Sequence, residues 1–391
     1  MTTENHGHTR YLIIGAGSMG LATADELIRR NEGPVVVLDA HRPPHVHGAH
    51  HGETRLIRLA YGEGSGYVPL AKRALDLWQA LEQESGETLF LPTGVINAGP
   101  PEAPFIRQVA ASAQAHGLPL ESLPGDEVTR RWPGWQMGQD MHGCLEARAG
   151  VLYVERIIAL WRRRVEAHAS AELVTGAVVT RLNPLAEGGY EAVCADGRCF
   201  RADRVLLAAG QHIAPLMAPL DIALPLTRVR KTFAWYEADA RYLPEHFPGF
   251  SLTTPGGAIF YGFPDIDGAG FKMGRHDSGQ PLAPGEPMLP FGDYEEDMAE
   301  LQDVVDRYFP GVGTLRHGAV CQYIRTPDEH FLIDEPLPGL MIAGGFSGHG
   351  FKFASALGEA LSEWLVQGQA QPALAGFRLD RFSATKETPP A

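Results

Sequence analysis

Four cysteines are all that this chain of 391 residues contains. No two of them form a C-x-x-C pair, so the chain offers neither a disulfide framework nor a zinc knuckle. Reduced, buried thiols are the expectation for Cys144, Cys194, Cys199 and Cys321. Cations are also in short supply, with 33 Lys and Arg against 47 Asp and Glu and a formal charge of −14. So acidic a chain is poorly suited to nucleic acid or an anionic membrane, where phosphates demand a basic face. Any anionic substrate must then be held by a few placed cations. No apolar run is long enough to span a bilayer. The polar start Met1–Arg10 lacks a signal peptide's apolar stretch, and the Pro-Pro-Ala end is no peroxisomal address, so a cytoplasmic location is expected. Seven of the 16 histidines fall before residue 52. Without H-E-x-x-H or paired cysteines they do not make a metal site, and His50 and His51 read as loop residues.

What is present is the balance of a globular protein, 44% hydrophobic and 20% charged. The length favours two domains. Tyr11–Ile14 is a short continuous apolar run of the kind that forms a buried parallel strand. Gly15, Gly17 and Gly20 follow as G-x-G-x-x-G, then a helix-forming stretch over Leu21–Arg30, then a second buried strand, Val35–Asp39. The match alone is weak, but here it has its context. The first glycine makes the turn, the second admits a pyrophosphate to the backbone, and the third lets helix and strand pack closely. Asp39 stands where a carboxylate accepts a ribose hydroxyl, and the helix N-terminus presents unpaired N–H groups to phosphate. The fingerprint does not choose between NAD and FAD.

Helical spacing recurs over Tyr67–Glu84, Ala103–His116, Val154–Ala169, Glu295–Tyr308 and about 353–366. Glu172–Gly188 and Tyr190–Cys199 alternate like strands. Arg204–Gly210 and Leu340–Gly345 have the character of the opening strand. Strands near both ends and the middle should therefore share one sheet. The expected fold is α/β: a Rossmann-like dinucleotide domain, discontinuous in sequence (1–85, 150–222 and 316–385), with a second, strand-rich α+β domain from 86–149 and 223–315.

The runs His50–Arg58, Ala60–Gly64, Tyr261–Pro264, Lys272–His276, Gly318–Cys321 and Gly345–Lys352 resemble, in order and spacing, the monomeric sarcosine oxidase and N-methyltryptophan oxidase family of FAD-dependent amine oxidases. The likeness runs over almost the whole chain. Asp39–Pro44, Gly94–Asn97 and Phe233–Tyr236 look more like the N-methyl-L-tryptophan-oxidising members than the sarcosine-oxidising ones. The resemblance implies a monomer with an FAD-binding domain and a substrate domain. It implies oxidation of the N-methyl group of a small N-methyl amino acid, giving the amino acid, formaldehyde and, from oxygen, hydrogen peroxide. N-Methyl-L-tryptophan is the expected substrate. Sarcosine is the alternative within the class. An NAD-dependent dehydrogenase and a non-catalytic flavin-binding protein are the readings outside it.

Residue by residue, the resemblance makes Cys321 the covalent anchor of FAD, where a lone cysteine is otherwise a small buried hydrophobe. It pairs Arg58 and Lys352 as the grip on the substrate carboxylate, a guanidinium fork and a point charge. It puts Arg55 over the flavin ring, Val179 at the adenine end, and Lys272 beside the flavin, where a positive charge helps oxygen accept electrons. Read without the resemblance, Lys272 is a solvent-facing lysine pointing opposite to Phe271 and Met273. Tyr261 and His276 would line the substrate amine. The Gly345–Lys352 loop, with Gly348 at its centre, would bring a helix N-terminus to the flavin, so that Lys352 serves cofactor and substrate alike. Leu59, in place of the family's usual histidine, and Gln211-His212 depart from the pattern.

Overall fold

The computed structural model describes residues 5–386; the polar start at Met1–Glu4 and the Pro-Pro-Ala end lie outside the described residues. The chain divides into two compact units. One comprises residues 5–51, Glu155–Arg228 and 323–386; the other comprises Gly52–Val154 and Val229–Gln322.

The first unit is built on an eight-stranded sheet. Strand Asn5–Ile14 lies between Val35–Asp39 and Cys199–Leu207, parallel to both. Ala171–Thr175 extends the parallel set beyond Val35–Asp39. The long strand Cys199–Leu207 serves two further neighbours. Its first half pairs antiparallel with Tyr190–Cys194, and its last residues pair parallel with Leu340–Gly344. Tyr11, Leu12, Ile13 and Ile14 are all buried, which is why they read as a continuous apolar run rather than an alternation. Helices Ser18–Arg29 and Ala354–Gln367 pack so closely that a Cβ on Gly358 would meet Ala22 at 2.7 Å. The stretch expected as one strand over Glu172–Gly188 is two, Ala171–Thr175 and Val179–Pro184, with Gly176 at positive φ between them.

The second unit holds a nine-stranded sheet and a three-stranded one. In the larger, Phe271–Arg275 is flanked antiparallel by Thr227–Ala238 and Ile259–Phe263. Gly249–Thr253 follows, then Val95–Gly99, parallel to it, and His142–Glu146. One face of this sheet packs an aromatic core. Trp135, Phe247, Phe250, Phe271 and Phe309 interlock there, with the Trp135 and Phe309 rings 4.6 Å apart. Helix Glu296–Tyr308 covers it with Leu301, Val304 and Val305. Arg230 and Asp297, almost wholly buried, form a two-bonded pair at 2.8 and 2.7 Å. The remaining Arg230 donors meet the Leu289 and Pro290 carbonyls and Gln280 Oε1, so the fork is satisfied as a buried charge must be.

The unit boundaries differ from the sequence expectation. Residues 52–85, expected with the dinucleotide domain, pack with the second unit. Strand Thr54–Ile57 pairs antiparallel with Gly150–Tyr153, which also pairs with Phe90–Leu91. The chain up to Gln322 also stays with the second unit. Arg55, Arg58 and Cys321 thereby fall in the same unit as Tyr261, Lys272 and His276. No helix among the described residues is long and apolar enough to cross a membrane.

Candidate functional site

The glycine turn in the first unit has the geometry that its spacing predicts. Gly15 has φ +106°, and a Cβ there would lie 2.5 Å from the Ala208 carbonyl oxygen. A Cβ on Gly20 would lie 1.8 Å from the Gly15 oxygen, so the helix can approach its strand only with glycine at that position. Gly17 is different: a Cβ there would meet nothing closer than the His50 ring at 3.4 Å, which leaves a cradle beside the backbone. Helix Ser18–Arg29 begins at Gly17 with no side-chain cap and no acid in its first turn, so its N-terminal N–H groups and dipole favour an anion.

Asp39 is tied into this turn. Its Oδ2 accepts from the Ala16 N–H at 2.7 Å and its Oδ1 from the His41 N–H at 2.8 Å, with His45 3.5 Å away. Burial raises the Asp39 carboxyl, and His45 with the two N–H donors outweighs that, holding it below the usual carboxylate range. The His41, His45, His47 and His50 rings cluster beside this turn, with His41 and His47 stacked 3.9 Å apart. Among the described residues no group of three His, Cys, Asp or Glu could hold a metal. Val179 opens its strand half-buried and packs against the core of this unit.

The Gly345–Lys352 loop follows the last parallel strand. Gly345 and Gly348 have φ of +57° and +84°, and Ser347 shares the left-handed region at +49°. A Cβ on Gly348 would lie 2.1 Å from the Tyr323 ring. The helix expected from about residue 353 begins at Ala354, after a tight turn over Phe351–Phe353. Lys352 is buried in that turn, and its ammonium donates to the His349 carbonyl at 2.9 Å.

In the second unit, alternation along three strands splits the side chains between two faces. Ala234, Tyr236, Phe260, Phe271 and Met273 join the aromatic core. Phe233, Trp235, Tyr261, Phe263 and Lys272 belong to the other face, as the period of two requires. Lys272 is only 2% exposed, so it is no solvent-facing lysine. Its ammonium lies 4.9–5.1 Å from the centres of the Phe233, Trp235 and Phe263 rings, donates to Thr54 Oγ1 at 3.1 Å, and also bonds the Gly52 carbonyl. Three aromatic faces and two oxygens offset the cost of burying the charge. Tyr261 is half-buried. Its hydroxyl would be 2.7 Å from a Cβ on Gly274, directly across the ladder, so glycine there makes room for the ring. His276 sits just past the end of the Lys272 strand, its N–H on the Ile259 carbonyl and its own carbonyl on the Lys231 ammonium at 2.9 Å.

Cys321 is buried within strand Val312–Arg325. Burial pushes its thiol up, while the charges of Arg55, Lys231 and Lys272 pull it down. Three cations therefore reach one thiol. Arg55 also donates to the Thr54 carbonyl at 2.8 Å.

Arg58 is 7% exposed, with its guanidinium near the Tyr61 and Phe105 rings. It donates to Asn97 Oδ1 at 3.2 Å and to Glu63 Oε1 at 2.9 Å. Its Nε has no hydrogen-bond partner among the described residues. Behind it, Asn97 donates to Glu146 Oε1 at 3.1 Å. Glu146 Oε2 accepts the Leu59 and Ala60 N–H groups, both at 2.7 Å. Burial raises the Glu146 carboxyl, and these donors and Arg58 oppose it. Leu59 is buried here and contributes its backbone. Gln211 and His212 form a short turn in the first unit, their side chains 3.3 Å apart.

The structure thus brings Arg55 and Lys272 within electrostatic reach of Cys321, joins His276 to Lys231, and places the glycine turn and the Gly345–Lys352 loop in the other unit. Sequence reasoning passed over Lys231 and Glu146. The available signal was charge in strand-like runs, Arg230 and Lys231 within Val229–Ala234 and Glu146 at the end of His142–Glu146.

Comparison with known proteins extends these observations over the chain. A family model described as FAD dependent oxidoreductase matches residues 10–364. The N-methyl-L-tryptophan oxidase of Citrobacter koseri is 41% identical over 378 residues, covering 95% of this chain and 98% of that protein. The monomeric sarcosine oxidase of Bacillus sp. (strain B-0618) is 38% identical over 387 residues, covering 97% and 98%. Among solved structures, NikD, an unusual amino acid oxidase, aligns with a TM-score of 0.83 at 23% identity over 95% of this chain and 98% of its own. Glycine oxidase from Geobacillus kaustophilus aligns with a TM-score of 0.81 at 18% identity over 96% and 99%. The uncapped turn, the discontinuous parallel sheet and this full-length similarity lead to one assignment: the chain belongs to the family of FAD dependent oxidoreductases.

Proposed function

We propose that this chain oxidises the N-methyl group of a small N-methyl amino acid, N-methyl-L-tryptophan in preference to sarcosine, with FAD held covalently at Cys321. Over the whole reaction the N-methyl amino acid, oxygen and water give the amino acid, formaldehyde and hydrogen peroxide. Bound FAD supplies the two-electron acceptor. The cradle at Gly17 and the uncapped helix after it fit the pyrophosphate of such a group, so the first unit takes the FAD-binding role and the second the substrate role. The chain acts as a monomer in the cytoplasm.

The observation that carries this reading is the positive charge of Arg55, Lys231 and Lys272 acting on buried Cys321, with both lysines themselves buried. Burying Lys272 among aromatic rings costs free energy that a purely structural residue would not need to spend. A charge held there without solvent acts strongly on electron transfer to oxygen. Tyr261 on the sheet that carries Lys272 and His276 just past its Phe271–Arg275 strand line the amine. Arg58 keeps one buried donor, Nε–H, for a carboxylate that reaches it.

An anaerobic mixing experiment tests the proposal. The purified protein should be yellow, and N-methyl-L-tryptophan should bleach it under nitrogen with release of about one equivalent of formaldehyde, with peroxide and further turnover appearing only on admission of air. The carboxamide of the same substrate should react far more slowly, and Arg58→Ala should remove most of that preference. A charge-assisted bond contributes about 1.5–3 kcal/mol, so the preference is expected to be about tenfold or more. A colourless protein, or one that treats acid and amide alike, overturns the reading.

A further inference from the structure

We infer that Asn97 and Glu146 are positioning residues for substrate-carboxylate recognition, acting as a polarity relay that aims the Arg58 guanidinium. The inference rests on the proposed role of Arg58 and adds the machinery behind it.

Arg58 has two side-chain partners of different kinds. Glu63 is an outer one, with its side chain 21% exposed, so water can replace it. Asn97 is an inner one, 0% exposed. An arginine has several rotatable bonds, and a buried one without a fixed acceptor would sample several poses at an entropic cost to ligand binding. Asn97 supplies that acceptor, but only with its amide turned so that Oδ1 faces the guanidinium. A free amide has no reason to choose that orientation.

Glu146 makes the choice. One carboxylate oxygen is filled by the Leu59 and Ala60 N–H groups, both at 2.7 Å. The other faces Asn97 at 3.1 Å and, being acceptor-only when ionised, demands the NH₂ end of the amide. The Asn97 oxygen is thereby forced toward Arg58, at 3.2 Å. The same carboxylate clamps the two peptide groups that follow Arg58. It therefore fixes both the root and the tip of the side chain. The three segments come from separate places: Arg58 from the strand Thr54–Ile57 and its continuation, Asn97 from Val95–Gly99, and Glu146 from the strand paired with it. Val95, Ile96 and Ala98 around Asn97 are buried and apolar, which makes a polar side chain there a costly choice without such a role.

Reversing the relay tests it. In Glu146→Gln the amide oxygen must still take the two backbone N–H groups, so the NH₂ faces Asn97. Asn97 then turns its oxygen inward and presents its NH₂ to Arg58, donor against donor. In the double variant Glu146→Gln with Asn97→Asp, the aspartate accepts from both sides, and the net charge equals that of the parent. Steady-state peroxide release should show KM for N-methyl-L-tryptophan raised about tenfold or more in Glu146→Gln, with a smaller change in kcat. The carboxamide should be affected much less, and the double variant should recover most of the lost KM. A Glu146→Gln variant with unchanged selectivity between acid and amide overturns the inference, as does a double variant no better than the single one. If Glu146→Gln does not fold, Asn97→Leu, which removes the inner acceptor alone, must show the same selective rise in KM. If Arg58→Ala impairs acid and amide equally, it is the carboxylate reading of Arg58 that fails. A selective Arg58→Ala beside unselective Asn97 and Glu146 variants instead isolates the failure to the relay.

Discussion

The Lys272 ammonium lies 4.9 Å from the centre of the Phe263 ring, and the two residues face each other across adjacent antiparallel strands. Phe233 and Trp235 complete the surround from the strand on the other side. The box shields the charge from water and so strengthens its field. Lys272→Met should slow reoxidation of the reduced enzyme by oxygen about 10²–10³-fold. Reduction by substrate under nitrogen should change much less. Stopped-flow measurement of the two half-reactions checks this, and equal losses in both would contradict a role toward oxygen.

Cys321 is buried, and the charges of Arg55, Lys231 and Lys272 act on its thiol. If it anchors the flavin, acid precipitation of the purified protein should carry the yellow colour into the pellet, and Cys321→Ser should release its FAD to the supernatant. A white pellet from the parent protein would remove the covalent link from the proposal.

Substrate size is tested by the Phe233–Tyr236 run. Ala234 and Tyr236 are in the aromatic core, which leaves Phe233 and Trp235 on the Lys272 face. Trp235 is already engaged, its N–H on Glu53 at 3.0 Å and its ring stacked 4.3 Å from that of His317. Burying an indole contributes about 1.5–3 kcal/mol, so kcat/KM for N-methyl-L-tryptophan should exceed that for sarcosine by about ten- to a hundredfold. Steady-state kinetics with both substrates decides it. Equal or higher efficiency with sarcosine would leave the flavin chemistry standing and refute the preference.

Stability should carry a pH signature from Asp25, in the glycine-turn helix. Burial pushes its carboxyl up to about 6 from 3.8, against the pull of Arg164, 2.6 Å away. The folded state holds this proton more tightly than the unfolded chain does. Its stabilising contribution is therefore complete below about pH 4 and is lost as pH rises through about 6, a change of about 3 kcal/mol. The difference in Tm between the parent and Asp25→Asn should shift against the parent between pH 4 and 7. A difference independent of pH over that range would mean that the carboxyl is not shifted.

Much of the local architecture was legible because its causes are local. Val35–Asp39 ends where its apolar run ends, and helix Pro104–His116 stops at Gly117, which takes the left-handed conformation that glycine adopts at no cost. The demand for glycine at position 20 follows from its neighbours in sequence, since the atom it must avoid belongs to Gly15. The unit boundary was not legible, because the pairing of Thr54–Ile57 with Gly150–Tyr153 joins strands nearly a hundred residues apart. Backbone hydrogen bonds leave no mark on residue type.

By itself, the sequence determined the dinucleotide turn, the α/β class and the family, since each rests on residue types at fixed spacing. Tertiary structure alone decided which charges are buried and what holds them. Lys272 reads as an ordinary surface lysine until the Phe233 and Phe263 strands flank it, and Glu146 as an ordinary acid until its oxygens meet Leu59, Ala60 and Asn97. A buried charge is tolerated only where partners from distant segments converge on it, and that convergence exists only once the chain has folded.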